Sequence, residues 1–457
     1  MLLEKIDLSA EDAFARLRRL PMPFISSGVA AGRAPAYSFA GADPLLTIKT
    51  LSGKTVVSGK GRNESYGDPF KALSDVIASH RSAGGVFPFN SGLFGYFSYD
   101  LKGLVEPRAA SIKRGPGAQA VPELMAGLYD PIFVYDRSKA EGHLVSASGD
   151  TGRFGMFMDL LKNGPVATTG LPEAGECSTN MTRQEYMSMI SRAKAYISAG
   201  DIYQINLSQR LGMRLKGDPF ALFLRLSMDH PAPFSSYFDL GAFQIISNSP
   251  ERLLKVSGRS AETSPIKGTR PRGRSAEEDI AMIEELRTSV KERAEHVMIV
   301  DLERNDLGRV SVTGSVTVDE FEKVETYRHL HHMVSTVRGT LRPGVDSAAA
   351  LRAVFPGGSI TGAPKIRAME IIEELEPSPR GIYTGGIGWM DLNGDMDVAM
   401  AIRTAVCRDG LLHLHVGGGI VADSAAEDEY EETLLKARDF LSCLGIITRG
   451  NAKAAGG

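Results

Sequence analysis

A chain of 457 residues, 43% hydrophobic and 23% charged, is long enough to bury one large core or two moderate ones and too apolar to be disordered. A formal charge of -3 spread over balanced acids and bases gives no long-range field to attract nucleic acid or an anionic membrane surface, so small molecules or proteins are the expected partners. Cys177, Cys407 and Cys443 are too few and too scattered for a disulfide framework or a thiolate metal site, and with acids near the start and no run of about 18 apolar residues the expectation is a cytoplasmic protein, neither exported nor membrane-spanning.

Residues 1–165 read as short strands and turns. Aromatics interspersed with small residues between Val86 and Tyr99 suggest a half-buried strand, and Tyr129 to Tyr135 a second. The run from Asn163 to Gly175, rich in Gly, Pro and Thr and without apolar periodicity, reads as a connector between an N-terminal region and a larger region at 180–446. Thr182 with Glu185 three residues on forms a helix-opening pair; Tyr186, Ile190, Ala193 and Ile197 share one face, and Gly200 ends the helix. From there strands and helices alternate to about Leu444, with no fixed-period repeat.

Five constellations in this larger region carry chemistry. Lys267 follows Pro265-Ile266 and precedes Gly268-Thr269, a setting that solubility alone does not explain. A lone lysine is ordinarily a solvated surface residue. Glu251, sixteen residues upstream, is separated from it by the length of one hairpin, which would bring an acid and a nucleophilic amine to one pocket. Glu292 and Glu295 stand three apart within a helical segment running through Ala281, Ile283, Leu286, Val290 and Val297; Glu429 and Glu432 repeat the spacing. Either pair alone is what a solvated helix face looks like, but two helices each offering two carboxylates make a hard oxygen site suited to Mg²⁺.

The stretch Phe355 to Lys365, with Gly357, Gly358, Ser359, Thr361 and Gly362, precedes an amphipathic helix through Ile366, Met369, Ile372 and Leu375. It departs from the nucleotide-binding loop, because Ala363-Pro364 intervene before Lys365 and Ile366 follows it, yet amides at a helix start can bind a carboxylate. Arg403 reads as an arginine on a buried apolar strand, needing an anionic partner, either a ligand carboxylate or a structural acid. Gly417, Gly418 and Gly419, within a strand, would let a ligand approach the backbone. An amine, an acid, a four-carboxylate metal site and an arginine describe an enzyme acting on a small polycarboxylate.

The order and spelling of these segments, together with Gly200 to Ser208, Asp301 to Leu307 and His332 to Val337, resemble the chorismate-utilising family, which includes aminodeoxychorismate synthase component I, anthranilate synthase component I and the isochorismate and salicylate synthases. The resemblance spans essentially the whole chain and is strongest from Arg183 to Ala437. It implies an α/β fold with large antiparallel sheets packed face to face, helices outside and the site in a deep cleft. Gln204 stands where the water-adding members have a lysine base. Lys267 stands where anthranilate synthases have alanine and aminodeoxychorismate synthases have lysine, so the nearest likeness is to amination at C4.

By this resemblance Lys267 would be the nucleophile at C2 and Glu251 the acid at the departing 4-hydroxyl. Mg²⁺ on Glu292, Glu295, Glu429 and Glu432 would bind the ring carboxylate, while Arg403, Tyr383, Gly418 and Gly419 would hold the enolpyruvyl carboxylate. Ser359, Thr361 and Lys365 would contact the substrate or metal region, with His332 in an acid-base or positioning role, and Asp301, Asn305 and Asp306 structural. The sequence holds no Gly-x-Cys-x-Gly glutaminase elbow, so a separate glutamine amidotransferase subunit is the expected source of ammonia. No pyruvate-releasing lyase is expected after Lys436. The rival expectations are an anthranilate synthase and a catalytically silent binder of chorismate or tryptophan.

Overall fold

The strand Gly92–Phe97 is apolar or glycine at every position and buried on both faces, so it needs a packed layer on each side. Leu93 and Phe97 join helices Pro69–Ser79 and Ser347–Val354 in one core; Phe94 and Tyr96 point the other way, into an aromatic core shared with a second sheet. In that core Phe24 stacks on Phe94 at 3.9 Å between centroids, and Trp389 stacks on Phe89 at 5.1 Å. Each such pair adds about 0.5–1.5 kcal/mol beyond its buried area, so the sheets are clamped by ring packing.

The computed structural model describes residues 1–28, 36–110, 121–166 and 170–446. Among them are two antiparallel sheets of thirteen and twelve strands. Helices Ala10–Leu17, Thr151–Asn163, Pro219–Asp229 and Ala426–Cys443 cover the outer face of the thirteen-stranded sheet. The expected architecture of face-to-face sheets with outer helices is the one observed. No helix among the described residues is long and apolar enough to cross a membrane.

Both sheets draw strands from either side of the connector: Phe24–Ser27 pairs with Phe234–Asp239, and Gly92–Phe97 with Gly386–Asp391. Two consecutive hairpins complete them. Gly386–Asp391 and Met396–Met400 fill the gap between Gly92–Phe97 and Arg252–Ser257 in one sheet; Thr404–Arg408 and Leu411–Ile420 fill the gap between Gln244–Ser249 and Gln204–Lys216 in the other. The chain crosses between sheets at Arg403, whose φ is +50°.

Several local expectations need correction. The strand expected at Val86 to Tyr99 is only Gly92–Phe97, and it is fully rather than half buried because a sheet and helices cover both faces. Tyr129 to Tyr135 is the end of one strand, Leu124–Tyr129, and most of another, Ile132–Asp136, which lie in different sheets. Asn163 ends a helix and Glu173–Ala174 pairs along the Gln204–Lys216 strand, while Ala167, Thr168 and Thr169 of the connector lie outside the described residues. The helical segment around Glu292 is two helices, Ala276–Thr288 and Val290–Gly308, broken at Ser289, whose Oγ caps the second; Val290 and Val297 are exposed. The helix Arg183–Ser198 opens on the expected reciprocal Thr182–Glu185 cap and is followed by Gly200 at φ +82°.

Candidate active site

Near its C-terminal end the Leu411–Ile420 strand is bare of side chains, and functional groups fill the space. A Cβ on Gly419 would lie 2.6 Å from the Gln204 amide nitrogen and 3.3 Å from Lys267 Nζ; one on Gly418 would lie 3.2 Å from Glu429 Oε2, 3.6 Å from Glu432 Oε1 and 3.8 Å from Lys436 Nζ; one on Gly417 would lie 2.8 Å from the Tyr383 hydroxyl. The glycines therefore let groups from both sheets converge on one stretch of backbone. Beside it, buried Arg380 pairs with buried Glu376 at 2.8 Å and donates to the carbonyls of Asn206 and Ile360, at 2.7 and 2.9 Å, tying the neighbouring strand to the loop before Thr361.

Lys267 lies in the strand Ile266–Pro271, which pairs with Leu330–Thr340 but slips register between Ile266 and Thr269. Gly268, at φ +79°, makes this bulge, which turns the lysine out of the ladder toward Gly419. Desolvation lowers the pKa of the ammonium group, and Lys436 lowers it further, against the opposing pull of Glu295, Glu251 and Glu432. Glu251 precedes the strand Arg252–Ser257, which forms the expected hairpin with Ser260–Ser264, and the chain then continues into the lysine strand. Its side chain is 5% exposed and accepts a hydrogen bond from Ser359 Oγ at 2.6 Å and another from the Ile266 amide. Burial raises its pKa to about 7 despite those bonds and the nearby Lys267. An acid that is half protonated near neutrality thus stands beside an amine with a depressed pKa.

The four carboxylates come from two helices. On Val290–Gly308, Glu292 accepts from Arg270 at 2.8 Å with Oε1, while its Oε2 is buried without a partner among the described residues. Burial raises the pKa of Glu295, with Lys267 acting against it. On Ala426–Cys443, burial likewise raises Glu429, which accepts from Ser424 Oγ at 2.6 Å; Glu432 is lowered, because Lys436 at 2.6 Å outweighs its burial. Among the described residues no three acidic, imidazole or thiol groups form a closed ligand set. The donors nevertheless fit Mg²⁺: all are hard oxygens, one buried oxygen lacks a partner, and the bare backbone at Gly418 leaves a cradle beside two of them.

Other expected site residues are placed as follows. Gln204 is buried with Oε1 unpartnered among the described residues and its amide nitrogen toward Gly419. Arg403 is not on a buried strand but in the crossover before Thr404, where Nη1 binds Asp439 at 3.0 Å. It shares a cleft with His332 and lies within electrostatic reach of Tyr383. His332 Nδ1 lies 2.9 Å from Thr269 Oγ1, on the strand that carries Lys267, and desolvation lowers its pKa to about 3. The Thr361 hydroxyl donates back to the carbonyls of Gly357 and Gly358, holding the turn. Lys365 is bound to Asp306 and to the Pro356 carbonyl at 2.8 Å.

Lys436 was missed. It bonds Glu432 and the Gly417 carbonyl at 2.9 Å and stands beside Gly418. Its sequence signal is a lysine four residues after Glu432, ordinarily a solvent-exposed helix pair.

A family described as chorismate binding enzyme matches residues 28–442. Anthranilate synthase component 1 of Thermus thermophilus is 40% identical over 94% of both chains, and aminodeoxychorismate synthase component 1 of Bacillus subtilis is 39% identical over 89% of this chain and 88% of its own. The crystal structure of anthranilate synthase component I from Streptococcus pneumoniae TIGR4 superposes with a TM-score of 0.80 at 32% identity, covering 91% of this chain and 94% of that one.

Proposed function

The chain belongs to the chorismate binding enzymes, and from that membership we propose that it aminates chorismate at C4, giving 4-amino-4-deoxychorismate, with Mg²⁺ as cofactor and ammonia from a separate glutamine amidotransferase subunit. Relatives named for the ortho and para amination branches are equally similar, so overall identity does not choose between them. The observation that carries the reading is Lys267, turned by the bulge at Gly268 to the Gly419 backbone within reach of the charge on Glu251.

In the proposed reaction neutral Lys267 Nζ bonds to C2 as the ring double bonds shift and the C4–O bond breaks. Glu251 protonates the departing oxygen, which leaves as water. Ammonia then bonds to C4, the C2–N bond to Lys267 breaks to restore the amine, and the proton shed by the new C4 ammonium returns to Glu251. Arg403 and Tyr383, with the amides near Gly418, would hold the enolpyruvyl carboxylate, and Ser359 keeps Glu251 oriented. A bound Mg²⁺, held by Glu292, Glu295, Glu429 and Glu432 directly or through water, would supply positive charge at the ring carboxylate.

The reading is tested by incubating the purified chain with chorismate, Mg²⁺ and ammonium and resolving the products by mass and fluorescence. The expected product is 4-amino-4-deoxychorismate; anthranilate would assign the ortho branch instead, and unchanged chorismate would favour a silent binder. Glutamine is expected to replace ammonium only after an amidotransferase subunit is added.

The raised pKa of Glu251 fixes the sign of a pH effect. The group is protonated, and competent as the acid, below about 7 and loses the proton above it. Loss of the Glu251 proton above that value should slow turnover normalised to free ammonia, whereas loss of the Lys267 proton should speed it, so the profile should level off or fall at high pH instead of rising without limit. A normalised rate that keeps climbing well above neutrality would count against Glu251.

A further inference from the structure

Glu303 is 2% exposed, and no step above uses it. It projects from the Val290–Gly308 helix, where Oε1 accepts the Gly358 amide at 3.1 Å and Oε2 accepts Thr263 Oγ1 at 3.2 Å. Gly358 opens the short turn Gly358–Ile360, and the next residue, Ser359, is the one whose hydroxyl rests on Glu251 at 2.6 Å. The turn packs closely on the helix there: a Cβ on Gly358 would lie 2.7 Å from Leu302 Cδ2 and 3.0 Å from Glu303 Oε1. One turn further along the same helix, Asp306 binds Lys365, which holds the Pro356 and Val354 carbonyls at 2.8 and 3.2 Å. The loop that presents Ser359 is thus gripped at two points by one helix.

A buried carboxylate with two donors is costly to desolvate, and an apolar residue would fill the space at less cost. Thr263, meanwhile, belongs to the hairpin that begins at Glu251, so Glu303 links that hairpin to the serine turn. We propose that Glu303 is a positioning residue for the reaction: braced by Thr263, it fixes the Gly358 amide so that Ser359 Oγ remains on the Glu251 carboxyl. This rests on the reading of Glu251 as the acid. Burial raises the pKa of Glu303 to about 7 as well, with Asp306 and Glu251 adding to the shift, as expected for two acids sharing one dry region.

The test is a set of full-length variants assayed with chorismate, Mg²⁺ and ammonium: Glu303→Leu, Glu303→Gln, Ser359→Ala, the Glu303→Leu/Ser359→Ala double variant and Glu251→Gln. Glu303→Leu should lower kcat on the order of 10- to 100-fold with KM little changed, the size expected when a reacting group is displaced by about 1 Å. Glu303→Gln, whose carbonyl can still accept the Gly358 amide, should recover kcat to within about 3-fold of the parent. Because the effect is assigned to Ser359, the double variant should be no slower than the slower single variant. Full activity in Glu303→Leu, equal losses in Glu303→Gln and Glu303→Leu, or losses that multiply in the double variant would each overturn the proposal. Near-parental turnover by Glu251→Gln would instead remove the reading of Glu251 as the acid, an outcome separable from the others.

Discussion

Replacing Lys267 by alanine is expected to lower C4 amination on the order of 10³-fold or more, the loss expected when a covalent nucleophile is removed. The group is held where it can act: the bulge at Gly268 turns it to Gly419, and desolvation favours its neutral form. With ammonia withheld, chorismate and Mg²⁺ should leave part of the parent protein heavier by one chorismate less one water, on the Lys267 peptide. Lys267→Ala should show no such adduct. Lys267→Arg should fail too, because a guanidinium stays protonated and cannot attack. Near-parental formation of 4-amino-4-deoxychorismate by Lys267→Ala would end the covalent role, and the choice between amination branches would then need other residues.

Loss of one metal carboxylate should be nearly as severe. Glu292→Ala or Glu432→Ala is expected to reduce turnover by about 10²- to 10³-fold at ordinary Mg²⁺, corresponding to several kcal/mol of lost charge stabilisation. Neither helix depends on these side chains, since the cores under them are made by Ile299, Val300 and Leu307 in one case and Ala437, Phe440 and Leu441 in the other. Folding should survive, and the check is direct: Mg²⁺ should raise the melting temperature of the parent and not of the variants. Undiminished activity in EDTA would overturn the metal assignment.

The sequence was most readable where a local rule and the tertiary environment agree. Thr182 and Glu185 cap a helix because both donors and acceptors lie within one turn, and the glycines at 417–419 announce a bare strand wherever that strand ends up. Arg403 misled because apolar neighbours look alike in a buried strand and in a crossover between two buried strands; only the left-handed backbone distinguishes them. Ser289 was invisible as a break, since a serine is tolerated inside a helix unless the chain turns there, and Val290 and Val297 suggested a core face that is in fact solvated. Glu303 lies in the polar run Asp301 to Asp306, where nothing local separates the buried acids, Glu303 and Asp306, from the exposed Asp301. Lys436, Glu429 and Glu432 share one helix face, but which face meets the glycine strand is a long-range fact.

The paired hairpins between Gly386 and Ile420 have a consequence for synthesis of the chain. Until they emerge from the ribosome, each sheet is two unjoined fragments with open strand edges. A nascent chain stalled before Gly386 would be sticky and inert, needing a chaperone rather than tolerating delay. The same late insertion brings Gly417, Gly418 and Gly419 into place, so the last strand to join a sheet is also the floor on which the amine and the acids meet. Closure of the sheets still leaves the site short of Glu429 and Glu432, which arrive only with the Ala426–Cys443 helix that follows.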